Sequence, residues 1–139
     1  MTLAKAIRIA AVGFEGKVDK GGVPYICHCL WVMDRMHTVD EKIVAVLHDA
    51  IEDQIISVRE LREEGFSESI IDDLKLLTHD KMVPYMSYIR TLSNSPRARK
   101  VKMADLQHNS DITRIKGLRK VDFERMEKYH TAYMYLLDK

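Results

Sequence analysis

This sequence lacks the long apolar run that a membrane-spanning helix requires, so we expect no membrane partner. It also lacks an excess of one charge, since 22 lysines and arginines balance 21 aspartates and glutamates. The chain therefore has no overall positive charge that would attract nucleic acid. Only two cysteines occur, Cys27 and Cys29, without the spacing of a zinc motif. At helical pitch they point in separate directions, so we expect reduced thiols in a cytoplasmic protein.

The remaining composition is that of a folded globular chain. Of the 139 residues, 46% are apolar and 31% are charged, which is enough for one hydrophobic core. The opening segment, MTLAKAIRIAAVGFEG, is better interpreted as a first helix than as a signal peptide. No repeat, low-complexity tract or linker is visible. We therefore expect a single domain over residues 1–139.

Helix signals recur along the chain, and no segment shows the alternation of a strand, which predicts an all-α fold. The segment GFEGKVDKGGVP, with four glycines, is predicted as a loop. Thr38 and Glu41 have the three-residue offset of a capping box, and Ser57 and Glu60 repeat it. The first predicted helix covers about Leu3–Val12, and the last covers about 121–137. Two others have both ends predicted, from Thr38 through Asp53 and from Ser57 to Gly65. For the remaining four only the start is predicted: Tyr25, Ser67, Pro84 and the Ser95–Pro96 pair.

Four ionisable side chains follow the apolar run IVAVL, in the stretch AVLHDAIED. In a helix, His48, Asp49, Glu52 and Asp53 would share one arc of about 140°. Acidic groups at the end of a helix oppose its dipole, and burying them is costly unless something pairs with them. A solvated last turn and a metal site both remain open from the spacing alone.

A metal site would need further ligands from elsewhere in the chain. His28 lies among apolar residues of the second predicted helix, and Asp105 lies among Met103, Ala104 and Leu106. Each residue alone fits a hydrogen-bonded core or surface group. Together with the histidine and aspartate of the AVLHDAIED stretch, they would form a shell of two histidines and two aspartates.

Four segments in order resemble the HD-domain metal-dependent phosphohydrolases. KGGVPYICHCLWV is similar to K-S-G-E-P-Y-I-x-H-P of the RelA/SpoT-type hydrolases, which include the small alarmone hydrolases. AVLHDAIED resembles their A-x-L-H-D-x-x-E-D, KVKMADLQHN their K-x-A-D-R-x-x-N, and LREEGFSESIIDDLKLLTHD the intervening stretch. The agreement covers about residues 11–112. It implies a helical bundle of the HD type.

The resemblance also implies roles for individual residues. The metal ligands would be His28, His48, Asp49 and Asp105, and the ion in this family is usually Mn²⁺. Glu52 and Asp53 would position and deprotonate the attacking water, and Asn109 would contact the nucleotide. Nearby cations are candidates for holding a polyanion, although each also fits a solvated surface charge: Lys20, Lys81, Arg90, Arg97, Lys100 and Lys102.

The sequence departs from the family pattern around the nucleotide. Phe14 replaces a histidine, and Asp19 occupies the position of an arginine that contacts the guanine base. Cys29 replaces the proline after the first ligand, and Leu106 replaces the arginine of the A-D-R motif. An Arg-to-Asp change reverses charge and removes a planar, stacking group. Hydrolytic chemistry is therefore better supported than guanosine tetraphosphate as the substrate.

These observations predict a metal-dependent pyrophosphohydrolase that removes the 3′-pyrophosphate from guanosine tetra- or pentaphosphate (ppGpp, pppGpp) or a related nucleotide. The alternatives are a phosphatase or nucleotidase acting on another nucleotide or NADPH, and a catalytically weak nucleotide-binding regulatory module. We expect no nucleic-acid partner, because the basic run around Lys100 is short. A homo-oligomer remains open, since the methionines at 33, 36, 126 and 134 fit either a partner surface or the core.

Overall fold

The computed structural model describes residues 2–139, which form eight α-helices and one short 3-10 helix. Within this range no strand forms, and an isolated bridge joins Val18 to Pro24. None of the described helices is both long and apolar enough to cross a membrane. The helices are α1 (Leu3–Gly13), α2 (Tyr25–Asp34), α3 (Val39–Val46), α4 (Val58–Glu63), α5 (Glu68–Leu76), α6 (Tyr85–Leu92), α7 (Pro96–Asn109) and α8 (Lys120–Leu137), with the 3-10 helix at Ile112–Arg114.

Local capping explains where most of these helices begin. Thr38 and Glu41 form a complete capping box at the start of α3, and Ser57 and Glu60 form another at α4. The side chain of Ser95 caps α7, which begins with a proline. These predicted helix starts are confirmed.

The predicted helix through Asp53 is wrong at its C-terminal end. Helix α3 ends at Val46, and the residues after it form successive turns. The His48 backbone N–H and the His48 Nδ1 both contact the Ala45 carbonyl oxygen, at 3.3 Å and 2.7 Å. In a continuing α-helix that oxygen would accept from the Asp49 N–H instead. The His48 side chain therefore occupies a carbonyl oxygen that a longer helix would use, and the chain continues as turns.

Helix α3 lies at the centre of the molecule. It packs against α1, α2, α5 and α7, and its last four residues, Ile43 to Val46, are fully buried. The turn that follows α3 contacts α2 through Tyr25, which donates to Asp49, and α7 through Asp105, which contacts His48. This arrangement brings side chains from three separate parts of the sequence to one point.

Candidate metal centre

Two histidines and two aspartates converge where α2 and α7 meet the turn after α3. His28 comes from α2, His48 and Asp49 from the turn, and Asp105 from α7. One ligand atom from each residue lies within 4.8 Å of all the others. Both histidines and Asp105 are buried, and Asp49 is partly buried. The structure therefore brings together all four of the predicted metal ligands.

Asp105 lies at the centre of this cluster. Its Oδ1 is 2.9 Å from the His28 Nε2 and 3.3 Å from the His48 Nε2. Its other oxygen accepts a hydrogen bond from the Lys102 ammonium at 2.9 Å, and the Asn109 amide donates to Oδ1 at 2.9 Å. One buried carboxylate thus orients two imidazoles, one cation and one amide.

Both histidines point the same ring nitrogen toward the cluster. The Nδ1 of His48 contacts the Ala45 carbonyl oxygen, which requires that nitrogen to carry the proton and leaves Nε2 toward the aspartates. The Nδ1 of His28 lies 2.8 Å from the Nδ1 of His108. Such contacts on the far side of the ring set the tautomer of metal-binding histidines.

His108 is held in a stack between His28 and Trp31, with ring centroids 5.0 Å and 4.2 Å away. Burial, together with the nearby Arg114 charge, lowers the pKa of His108 to about 4. His108 is therefore neutral at physiological pH, and its Nδ1 pairs with the His28 Nδ1 at 2.8 Å. This contact turns the His28 Nε2 toward Asp105 and the other candidate ligands.

The ionisation of the cluster suits a cation. Burial lowers the pKa of His48, but Asp49 and Asp105 raise it well above its ordinary value. Burial raises the pKa of the Asp49 carboxyl, but the resulting His48 imidazolium and the Tyr25 hydroxyl lower it to about 2. Burial also raises the pKa of Asp105, but the neighbouring Lys102 and His48 charges hold it well below the usual range. Two ionised carboxylates, and two imidazoles whose Nε2 protons a metal would displace, form a buried donor set that fits a divalent cation.

A polar cavity of about 340 Å³ opens beside the ligands. Glu52 and Asp53, the predicted catalytic acids, both line it. Glu52 accepts a hydrogen bond from the His79 backbone N–H at 2.8 Å, and Asp53 pairs with the Lys17 ammonium at 2.5 Å. The Tyr85 hydroxyl also faces this cavity, buried and without a hydrogen-bond partner. An orphaned buried hydroxyl of this kind is what a polar ligand would satisfy.

A second cavity, of about 400 Å³, lies against the loop between α1 and α2. Tyr25 and Asn109 line both cavities, so the two are adjacent. The second cavity is also lined by side chains of the 3-10 helix and of α8. Together the cavities provide an elongated site that begins at the candidate ligands.

The predicted substrate residues fall into two groups. Asn109 and Lys20 line the second cavity, and Lys102 lines the polar one, where its ammonium is paired with Asp105. Arg97 and Lys100 instead form ion pairs with Asp73 and Glu41, respectively. Among the candidate cations, Arg97, Lys100, Lys81 and Arg90 line neither cavity.

The residues that depart from the family pattern have distinct environments. Phe14 is buried and packs on the Tyr25 ring, with centroids 5.0 Å apart. Cys29 and Leu106 are also buried and belong to the hydrophobic core. Asp19 differs from these, because its carboxylate lies at the second cavity and pairs with Arg114 at 2.9 Å.

Known proteins were compared with this chain by sequence and by structure. No protein-family model matches the sequence, and no curated protein is significantly similar to it. A solved structure of a metazoan ortholog of SpoT, which hydrolyzes ppGpp and plays a role in starvation responses, has a TM-score of 0.75. The chain adopts the HD-domain fold. The match covers 98% of this chain and 83% of that chain, at 22% sequence identity, and it confirms the all-α HD prediction.

Several residues at the site of this HD fold were not singled out from the sequence. His108 follows Asp105 by three positions on α7, so helical spacing was a usable signal for it. Lys17 and Arg114 carried no such signal, because their partners Asp53 and Asp19 lie 36 and 95 residues away. The α8 side chains at the cavities lie beyond the segment that resembles the family: Arg125, Met126, Lys128 and Tyr129.

Proposed function

We propose that this chain is a divalent-metal-dependent phosphohydrolase that removes the 3′-pyrophosphate from ppGpp, pppGpp or a related nucleotide. One observation carries the proposal: four ligand atoms lie within 4.8 Å of one another at the wall of a cavity that holds acids and lysines. The structural neighbour, which hydrolyzes ppGpp, supports the reaction class.

The proposed cofactor is Mn²⁺, held by His28, His48, Asp49 and Asp105. A bound divalent cation lowers the pKa of its water and stabilises negative charge on a phosphoryl oxygen. The buried carboxylates stay ionised, as their lowered pKa values require, and so retain affinity for the ion. Its removal by a chelator is expected to abolish turnover.

Glu52 is the proposed general base. Its carboxylate is fixed by the His79 backbone N–H and faces the polar cavity, one turn beyond the ligands. The water oxygen bonds to the phosphorus next to the ribose, the bond from that phosphorus to the 3′ oxygen breaks with the ribose oxygen as leaving group, and pyrophosphate is released. Glu52 accepts the proton of the water, which is then available for the departing ribose oxygen. Asp53 orients the same water.

Three lysines around the polar cavity are the proposed contacts for the phosphates: Lys17, Lys102 and Lys128. Lys102 belongs to α7 and Lys128 to α8, whereas Lys17 lies in the loop after α1. Lys128 is exposed on α8, so its ammonium can reach a phosphate in the cavity from the solvent side.

A phosphatase acting on another nucleotide or NADPH is a second candidate. It is favoured by Asp19, whose carboxylate stands where the family has an arginine against guanine. A regulatory module without turnover is disfavoured, because Glu52 and Asp53 both remain at the cavity. Nucleic acid is also disfavoured, since Arg97 and Lys100 of the basic run are engaged in ion pairs.

The decisive experiment incubates the protein with Mn²⁺ and a panel of nucleotides that includes ppGpp, pppGpp and NADPH, and resolves the products by chromatography. Release of pyrophosphate from ppGpp supports the proposal, whereas release of orthophosphate from NADPH alone supports the phosphatase. The His48→Ala variant should be inactive, and the matched His130→Ala variant, on the exposed surface of α8, should be fully active. Absence of turnover on every nucleotide would refute the enzymatic proposal.

A further inference from the structure

The loop between α1 and α2 and the 3-10 helix meet at one ion pair, between Asp19 and Arg114. Resting on the proposed function, we propose that Arg114, fixed by Asp19, is the surface on which the substrate's nucleobase stacks. The proposal assigns the second cavity to the base and a specificity role to a residue outside the family-like segment.

Arg114 is held in one orientation by three acceptors. Its NH2 donates to the Asp19 Oδ2 at 2.9 Å, and its NH1 donates to the His108 carbonyl oxygen at 2.8 Å and to the Asn109 Oδ1 at 3.3 Å. Because the N–H groups of a guanidinium point outward in its plane, bonds of this kind engage its edge. The side chain remains 21% exposed and lines the cavity. A guanidinium bonded at its edge still presents its face for stacking on an aromatic ring.

Asp19 bonds to both its own loop and Arg114, and so fixes the position of the arginine. Its Oδ1 accepts from the backbone N–H groups of Gly21 and Val23, at 2.8 Å and 2.9 Å, which closes the loop. Burial raises the pKa of Asp19, but these bonds and the Arg114 charge lower it below its ordinary value. The ionised carboxylate thus fixes both the loop and the arginine.

Gly21 shows how closely the loop approaches the 3-10 helix. A Cβ added at this position would lie 2.3 Å from the Arg114 backbone carbonyl oxygen. A side chain at position 21 would collide with this oxygen, so the glycine lets the loop and the 3-10 helix meet where Asp19 pairs with Arg114.

The cavity fits a planar base beside the phosphate site. It has a volume of about 400 Å³ and includes apolar side chains of Ile115, Met126 and Tyr129. Asn109 and Tyr25 connect it to the polar cavity next to the ligands. A nucleotide can therefore place its pyrophosphate at the lysines and its base against Arg114. Stacking on a guanidinium or aromatic face is available to every base.

Isothermal titration calorimetry with Mn²⁺ tests this assignment with GDP and ADP, which carry a base, and inorganic pyrophosphate, which does not. Arg114→Ala and Arg114→Lys should each weaken binding of both nucleoside diphosphates roughly tenfold and leave pyrophosphate unchanged. Asp19→Asn retains the loop-closing oxygen but releases the arginine, so it should weaken nucleotide binding in the same way. Arg59→Ala, at an exposed arginine of α4, is the matched control. Circular dichroism verifies folding of each variant.

The outcomes separate this inference from the proposed function. If Arg114→Lys binds GDP as the wild type does, a point charge suffices and the stacking role is wrong. If the folded variants lose pyrophosphate and nucleotide equally, Arg114 acts on the whole site and the base assignment is overturned. If the wild type binds no phosphate ligand of the panel, the proposed function itself fails.

Discussion

Asp105 provides the sharpest test, because it has two separable roles. It is a proposed metal ligand, and it is also the partner of Lys102 at 2.9 Å. Only 6% of the Asp105 side chain and 13% of the Lys102 side chain are exposed. Burial alone would lower the pKa of Lys102, but the Asp105 carboxylate raises it well above its ordinary value. The carboxylate is therefore what keeps this lysine charged inside the protein.

The Asp105→Asn variant removes that charge with little change in shape. Leaving one member of a buried ion pair without its partner costs about 3–5 kcal/mol. Part of the Lys102 side chain reaches water, so we expect the lower end, about 3 kcal/mol in metal-free protein. The double variant Asp105→Asn/Lys102→Met removes both charges and should recover about 2 kcal/mol of this loss.

Urea unfolding in the presence of a chelator measures these free energies. Trp31, the one tryptophan of the chain, stacks on His108 near the site and reports the transition by fluorescence. Equal stability of the single and double variants would refute the idea that Asp105 holds Lys102. Mn²⁺ at 100 times its dissociation constant should stabilise the wild type by about 2.7 kcal/mol and neither variant. Mn²⁺ stabilisation of the double variant would exclude Asp105 as a ligand.

Three further perturbations test other contacts. Glu52→Gln should keep the Mn²⁺-induced stabilisation but lose turnover by about 100-fold or more, because an amide accepts no proton. His108→Leu should weaken Mn²⁺ binding about 10- to 100-fold, since the Nδ1 of His28 loses its hydrogen-bond partner. Burial raises the pKa of Glu41, but hydrogen bonds from the His37 N–H and Lys100 lower it to about 2. Glu41→Gln should therefore cost roughly 1–2 kcal/mol above pH 5, and the difference should vanish as the pH falls toward 2.

Each of these expectations has a result that contradicts it. Full activity of Glu52→Gln would assign the proton transfer elsewhere. Unchanged Mn²⁺ affinity in His108→Leu, measured by calorimetry, would show that His28 is oriented without it. A stability difference for Glu41→Gln that persists unchanged at pH 2 would mean that the charge of the carboxylate is not what stabilises the fold. Glu63→Gln, at an exposed glutamate of α4, is the control for the pH series.

The sequence determined the helical starts, because capping depends on residues three positions apart. Thr38 with Glu41, and Ser57 with Glu60, specify their hydrogen bonds locally and need no tertiary context. The histidines and aspartates of the candidate metal centre could also be named from the sequence, since their motifs keep a recognisable order. Their roles in catalysis remain predictions.

Only the tertiary structure decided how those residues are held. The end of α3 depends on the bond from the His48 ring to the Ala45 carbonyl, which a helical pattern does not predict. The pairs Asp19–Arg114 and His28–His108 join positions 95 and 80 residues apart. Such pairs form where packed helices bring distant segments together, and no local spacing rule encodes that distance.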